Sequence, residues 1–377
     1  MFLLAWKNLI KEQTRLILTL VGITFAVVLI FFDTGVYLGF LRSSSILIDR
    51  SKADIWITMR NHVNFESARP FPERKLWKVK QVKGVEWVEP VAKGGGLMKL
   101  PNGAAEWIMI FGFRPEVDLG WPWQMREGMR EDLKLDNTII VDESSVSKLG
   151  KLKVGDKVEI FDTRVKVVGI SQGVKTSTTF PVVFSNYQTA KKLSSIYRAM
   201  EGDQVTFLLA KVAADMPVGE VIERLRKIEG IDVYSREGLS WQTKKYWIVW
   251  TGVGIGFSLM ALLGFLVGVV IVGQTIYAST MEHLREYGTL KALGATNRDL
   301  LAVIIYQAFA NTLMGYLLAL GTAYLMQQGY DRLGLSLIIT FEMQVVMFVV
   351  TLIMCLGASV LSIRQVFRID PVIVFRA

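Results

Sequence analysis

The chain has 377 residues, 51% of them hydrophobic, and a formal net charge of +9. The basic residues are scattered, and several flank long apolar runs, where anionic lipid and the positive-inside rule account for them; no nucleic-acid partner is expected. One cysteine, Cys355, and two distant histidines, His62 and His283, leave no disulfide framework, thiolate metal cluster or zinc site to be built within the chain.

Residues 1–15 carry Lys7, Lys11 and Arg15 ahead of a 26-residue apolar run, 16–41. That run is longer than the core of a signal peptide and lacks a small-x-small cleavage site, so it reads as a retained first transmembrane helix. Asp33 lies ~25 Å along a straight helix from Leu16, near the outer interface. There it caps, snorkels or meets solvent; a buried membrane acid would instead be a functional candidate.

Residues 42–238 are mixed sequence, long enough for a water-facing domain. Asp54–Thr58, Val85–Val91 and Ala104–Phe113 read as strands, and Glu73–Gln81 as a short helix ended by Gly84. Gly94–Gly96 and Pro101-Asn102-Gly103 mark flexible backbone and a turn; no Lys-Ser/Thr pair follows to make a phosphate loop. Trp121 and Trp123 flank Pro122, and either cover a core edge, touch the headgroup zone, or contact a partner or hydrophobic substrate. The acids Glu131, Asp132 and Asp136 match no calcium-loop spacing. Thr138–Asp142, Asp156–Phe161 and Val165–Ile170 read as small strands, with a turn around Gly150. Val205–Val212 resumes the first texture, Val218–Ile228 is an amphipathic helix closed by Gly230, and Ile231–Tyr234 is a last strand. The expected architecture is an α+β part over 42–132 and 204–238, with a small β subdomain inserted at about 133–203.

Tyr246–Gly273 runs 28 residues without a charge, roughly 42 Å as a helix, more than the ~30 Å hydrocarbon core of a bilayer. Residues 246–273 are therefore expected to form the second span. Gly252, Gly256, Gly264 and Gly268 share a helical stripe and are expected to pack against another helix. Gly252, Gly254 and Gly256 follow no strand, so they make no nucleotide fingerprint. The loop 274–299 contains a stretch, Ser279–Gly294, with the composition of a short amphipathic helix, and Thr296 or Asn297 can cap the third span, 300–326. A short loop, 327–342, leads to the fourth span, 343–363, and a tail, 364–377. Cations concentrate before span one, at Arg285, Lys291 and Arg298, and at Arg364, Arg368 and Arg376. The positive-inside rule puts both termini and the 274–299 loop in the cytoplasm of a multi-pass inner-membrane protein, with the large domain outside. The expected fold is a membrane α-helical protein of four transmembrane helices, with a large α+β periplasmic domain inserted between helices 1 and 2.

The decapeptide Glu286-Tyr287-Gly288-Thr289-Leu290-Lys291-Ala292-Leu293-Gly294-Ala295 resembles the E-x-G-x-L-K-A-L-G-A signature of FtsX-like ABC transporter permeases with MacB-like topology. Arg368-Ile369-Asp370-Pro371 resembles their R-x-x-P tail, and the opening segment, MFLLAWKNLIKEQTRLILTLVGITFAV, looks closest to DevC-type permeases of cyanobacteria. The resemblance implies a non-catalytic homodimer that binds a separate ABC ATPase subunit carrying the ATP and magnesium. A periplasmic adaptor and an outer-membrane channel would complete an export pump in the lipid bilayer. It also implies that Met281 to Leu293 is the coupling helix, with Met281, Glu282, Arg285, Glu286, Gly288, Leu290, Lys291, Leu293 and Gly294 contacting the ATPase or shaping the loop. The rival readings are an FtsX-like regulator of cell-wall hydrolases and a lipoprotein-releasing permease. An enzyme is the weakest alternative, because no nucleophile–base pair or metal set is evident in the sequence.

Overall fold

The computed structural model describes residues 13–100, 103–146, 148–174, 180–200, 203–332 and 336–367. The basic N-terminal residues Lys7 and Lys11, the Pro101-Asn102 pair and the Arg368–Pro371 tail lie outside them. The chain divides into two compact units, one holding the apolar helices and one holding Phe40–Val253. Helix α1 (Gln13–Asp49) supplies residues to both and runs eight residues past the expected end of the first span. The polar run Ser43, Ser44 and Ser45 does not stop it, because all three are buried. Ser44 and Ser45 satisfy their hydroxyls on Leu41 O and Asp49 Oδ2.

The outer unit is built on one connected sheet of ten strands, with β5 (Met125–Glu127) at one edge, while β2 (Phe71–Pro72) and β10 (Gln204–Val205) pair apart from it. Its first part joins β1 (Ile55–Met59), β3 (Val85–Lys99), β11 (Phe207–Val212) and β12 (Ile231–Ser235) in the order β12-β1-β11-β3. Period-2 alternation explains why these strands read as continuous apolar runs: both faces are covered. Ile55 and Ile57 face one core, with Leu208 and Ala210, while Trp56 faces the other, with Phe207 and Leu209. Helices α2 (Lys75–Lys80) and α6 (Val218–Leu225) cover the first face through Leu76, Val79, Val221 and Leu225; α7 (Arg236–Lys245) covers the second through Leu239.

The far half of β3 enters a six-stranded ring with β4 (Ala105–Phe113), β6 (Thr138–Asp142), β7 (Lys157–Ile160), β8 (Thr163–Ser171) and β9 (Val182–Asn186). The pairings β3–β4, β4–β9, β9–β6, β6–β8, β8–β7 and β7–β3 close it. The segment 133–203 thus draws two of its barrel strands from the chain before it.

Gly94–Gly96, expected as flexible backbone, lies inside β3. The glycines are there for proximity: helices α4 (Tyr187–Leu193) and α5 (Ser195–Arg198) lie directly on the strand. A Cβ on Gly94 would stand 2.8 Å from Ser194 Cβ, and one on Gly96 2.9 Å from Leu193 O. Between β4 and Gly150 the helical pieces among the described residues are a 3-10 helix, Arg130–Lys134, and the single turn α3 (Glu143–Val146).

Residues 61–68 form a strap across the second face. Gln242 Nε2 donates to His62 O at 2.8 Å, Phe65 N to Thr243 Oγ1 at 3.3 Å, and His62 N to Asp232 Oδ2 at 3.0 Å. Lys93 Nζ reaches the strap from β3, donating to Phe65 O at 3.0 Å and Glu66 O at 2.6 Å. Burial lowers the Lys93 amine to about 8, with Glu66 partly opposing. Burial also lowers the His62 imidazole to about 4, against the pull of Asp232 and with the push of Lys93.

The membrane unit contains the lower part of α1 with α8 (Val253–Glu282), α9 (Leu284–Ala292), α10 (Asn297–Arg332) and α11 (Phe341–Phe367). Among the described residues four helices, α1, α8, α10 and α11, are long and apolar enough to span a bilayer. The charge-free run from Tyr246 is not one helix, as its composition suggested. Tyr246–Trp250 forms a π-helical turn and Gly252 adopts φ +74° before α8 begins. Thr251 takes over the local bonding, its hydroxyl donating to Trp247 O and accepting from Val253 N. Asp33, expected near solvent, is only 5% exposed.

Candidate coupling site

The cytoplasmic corner between α8 and α10 is made by α9. His283 separates α8 from α9 with φ −84° and ψ 10°, outside helical geometry, while its Nδ1 pairs with Glu286 Oε2 at 3.0 Å. At the other end Gly294 has φ +99°, a left-handed conformation that a side chain would strain. Gly294 N then donates to Lys291 O and Ala295 N to Leu290 O, which turns the chain sharply back. Thr296 opens α10 with reciprocal bonds: Asp299 Oδ2 accepts from Thr296 N at 2.9 Å and from Thr296 Oγ1 at 2.7 Å, and Thr296 Oγ1 accepts from Asp299 N at 3.3 Å. Of the two expected caps, Thr296 is the one used.

Helical period sorts the corner into two faces. Arg285, Glu286 and Thr289 are exposed, and Leu293 is 81% exposed, an unusual position for a leucine. Gly288 is buried, while Leu290 and Lys291 are half-buried. Met281 and Glu282, expected within the coupling helix, are exposed at the end of α8 instead. The residue that sequence reasoning passed over is Tyr287. It is 1% exposed and forms an apolar cluster with Leu300, Val303 and Ile304. The available signal was weak: one aromatic four residues after His283 in an otherwise charged stretch.

The glycine stripe divides. A Cβ on Gly264 would meet Ile30 Cγ1 at 3.1 Å; one on Gly268 would run into Met354 Sδ of α11 and stand 2.9 Å from Ala26 Cβ, so both glycines lie against α1 and Gly268 also against α11. Gly256 has nothing within 4 Å, and Gly252 precedes the helix. Trp121 is fully buried among Trp56, Phe111 and Phe113, and its Nε1 donates to Leu47 O at 2.9 Å. It is a core residue and not a contact surface. Trp123 is half-buried, with the Arg50 guanidinium 5.7 Å from its ring centroid. Among the described residues no group of three or more His, Cys, Asp or Glu side chains could hold a metal ion.

These features define a multi-pass membrane protein with four apolar helices, a large α+β domain between the first and second, and a short helix at a cytoplasmic corner. Residues 16–228 match the MacB-like periplasmic core domain, and residues 258–371 match the FtsX-like permease C-terminal family. The chain belongs to the FtsX/MacB-like family of ABC transporter permeases, and is a non-catalytic transmembrane subunit. Similar chains include an uncharacterized ABC transporter permease of Mycobacterium tuberculosis, 24% identical over 375 residues and covering 98% of each chain. Another, from Methanocaldococcus jannaschii, is 24% identical over 347 residues, covering 88% of this chain and 84% of its own. A Staphylococcus epidermidis chain named as a hemin transport system permease protein is 22% identical over 383 residues, covering 98% and 97%. Among solved structures, the periplasmic region of MacB from Actinobacillus actinomycetemcomitans aligns with TM-score 0.38 and 12% identity, covering 51% of this chain and 92% of that one. The extracellular domain of YknZ from Gram-positive bacteria aligns with TM-score 0.34 and 14% identity, covering 48% and 98%.

Proposed function

We propose that the chain is the permease subunit of an ATP-driven exporter, a homodimer that binds a separate ABC ATPase at the α9 corner. ATP and magnesium reside on that ATPase, and the outer domain moves in response. The observation that carries this reading is the α9 corner: a rigidly capped short helix that turns charged side chains and the bare Leu293 outward. Such a surface suits a groove in a soluble partner, with leucine as the apolar anchor and Arg285, Glu286 and Lys291 as flanking charges. A membrane unit of four apolar helices encloses little polar path, which favours mechanical work on a substrate outside the membrane over ion-coupled passage. Extrusion through an adaptor and outer-membrane channel extends the reading, as does the likeness of the opening segment to DevC-type permeases. The hemin system named for the staphylococcal relative makes a large amphipathic molecule a reasonable substrate class.

The test is a pull-down from native membrane in lipid nanodiscs, wild type beside Glu286→Ala/Lys291→Ala, with ATP turnover assayed. Recovery of an ATPase and an adaptor, weakened at least tenfold by the double variant, supports the proposal. An ATPase accompanied by a wall hydrolase and no adaptor favours the regulatory reading. An intact complex without any ATPase overturns both.

A further inference from the structure

We infer that Tyr287 is the positioning residue that seats the coupling helix α9 on α10, so that force on α9 is delivered to the third span. This rests on the exporter reading above. The apolar cluster around the Tyr287 ring takes its three other buried members, Leu300, Val303 and Ile304, from the first two turns of α10. Their spacing is that of one helical face. Leu290 and Ile363 close its rim, the latter from α11, and none of the cluster's members comes from α8.

The two ends of α9 differ in the same sense. Toward α10 the chain is fixed by the Gly294 turn and by the reciprocal Thr296–Asp299 bonds. Toward α8 the connection is a backbone one: His283 N donates to Ser279 O at 3.2 Å, and His283 O accepts from Tyr287 N at 3.0 Å. A load on the outward side chains Arg285 and Leu293 therefore meets close side-chain packing against α10 and a hydrogen-bonded backbone joint toward α8. Close-packed side chains have discrete arrangements and transmit displacement.

The experiment uses the full chain in nanodiscs with spin labels at Thr289→Cys on α9 and Leu313→Cys on α10. Cys355 is fully buried and stays in place. Tyr287→Ala should broaden the label-to-label distance distribution at least twofold, and Tyr287→Phe should leave it as in wild type. With the ATPase added, Tyr287→Ala should bind it within threefold of wild type yet lose at least tenfold of the permease-dependent ATP turnover, with Phe restoring it. An unchanged distribution in Tyr287→Ala overturns the inference. So does a loss of ATPase affinity matching the loss of turnover, since the ring would then be part of the contact. A wild-type chain that binds no ATPase overturns the exporter reading and the coupling role together, while the label widths still decide whether Tyr287 seats α9.

Discussion

Acid should loosen the outer domain through one side chain, His62. Its ring is 9% exposed, lies 6.1 Å from both Phe207 and Tyr234 by ring centroid, and leaves Nε2 without a hydrogen-bond partner. Burial is the main cause that holds the imidazole near 4, below the ordinary 6.5; Asp232 raises it and Lys93 lowers it further. The sign follows from proton binding. Between pH 6.5 and 4 the unfolded chain binds more protons at this site than the folded one, so stability falls as the pH is lowered through that window. The difference of about 2.5 pH units, at 1.36 kcal/mol each, corresponds to about 3 kcal/mol. For a domain of this size that is roughly 6–12 °C in the unfolding midpoint. His62→Phe keeps a ring in the same apolar setting and removes the titration. Thermal unfolding in nanodiscs, followed by tryptophan fluorescence from the Trp56–Trp121 core, should show a steeper acid limb in wild type than in His62→Phe. Parallel curves for the two proteins from pH 7 to 4 would refute the reasoning.

Four further substitutions probe the packing. Trp121→Phe removes the partner of Leu47 O, one of the last carbonyls of α1, and should cost about 1–3 kcal/mol in denaturant unfolding. Gly112→Ala drives a methyl group to 3.1 Å from Asn186 O and onto Ala190, so the barrel should lose about 1–3 kcal/mol and the variant should show earlier proteolysis. On α8, Gly268→Ala should destabilise by a similar amount through its contacts with Met354 and Ala26, whereas Gly256→Ala should stabilise by about 0.5–1 kcal/mol. Opposite signs on one helix, read from detergent-solubilised melting curves, check which half of the glycine stripe is packed within the chain.

The strands of the outer domain were legible wherever a short apolar run had clear boundaries, as at Thr138–Asp142. Val182–Asn186 is buried on both faces, as Thr138–Asp142 is, and carries no alternation; its place comes from pairing with β4 and β6. The α9 corner was visible as a motif, and its outward charges follow from that motif. Its anchor was not, because Tyr287 gains its meaning only from Leu300, Val303 and Ile304 on the next helix. Trp121 stood open between a core edge, the headgroup zone and a contact surface for the same reason: its neighbours Trp56, Phe111 and Phe113 come from two other strands, β1 and β4.

By itself, the amino-acid order determined the four apolar helices, their orientation and the existence of a large outer domain. Each depends on quantities summed along a continuous stretch: apolar length against bilayer thickness, and cation count beside a span. Only the tertiary structure decided that the Gly94–Gly96 run is a strand, that the second apolar run breaks at Gly252, and that α9 packs on α10 through Tyr287. The strand and the α9 packing depend on distances of about 3–4 Å between residues on different elements, where close packing sets the energy. The break at Gly252 is a backbone conformation that apolar composition does not record.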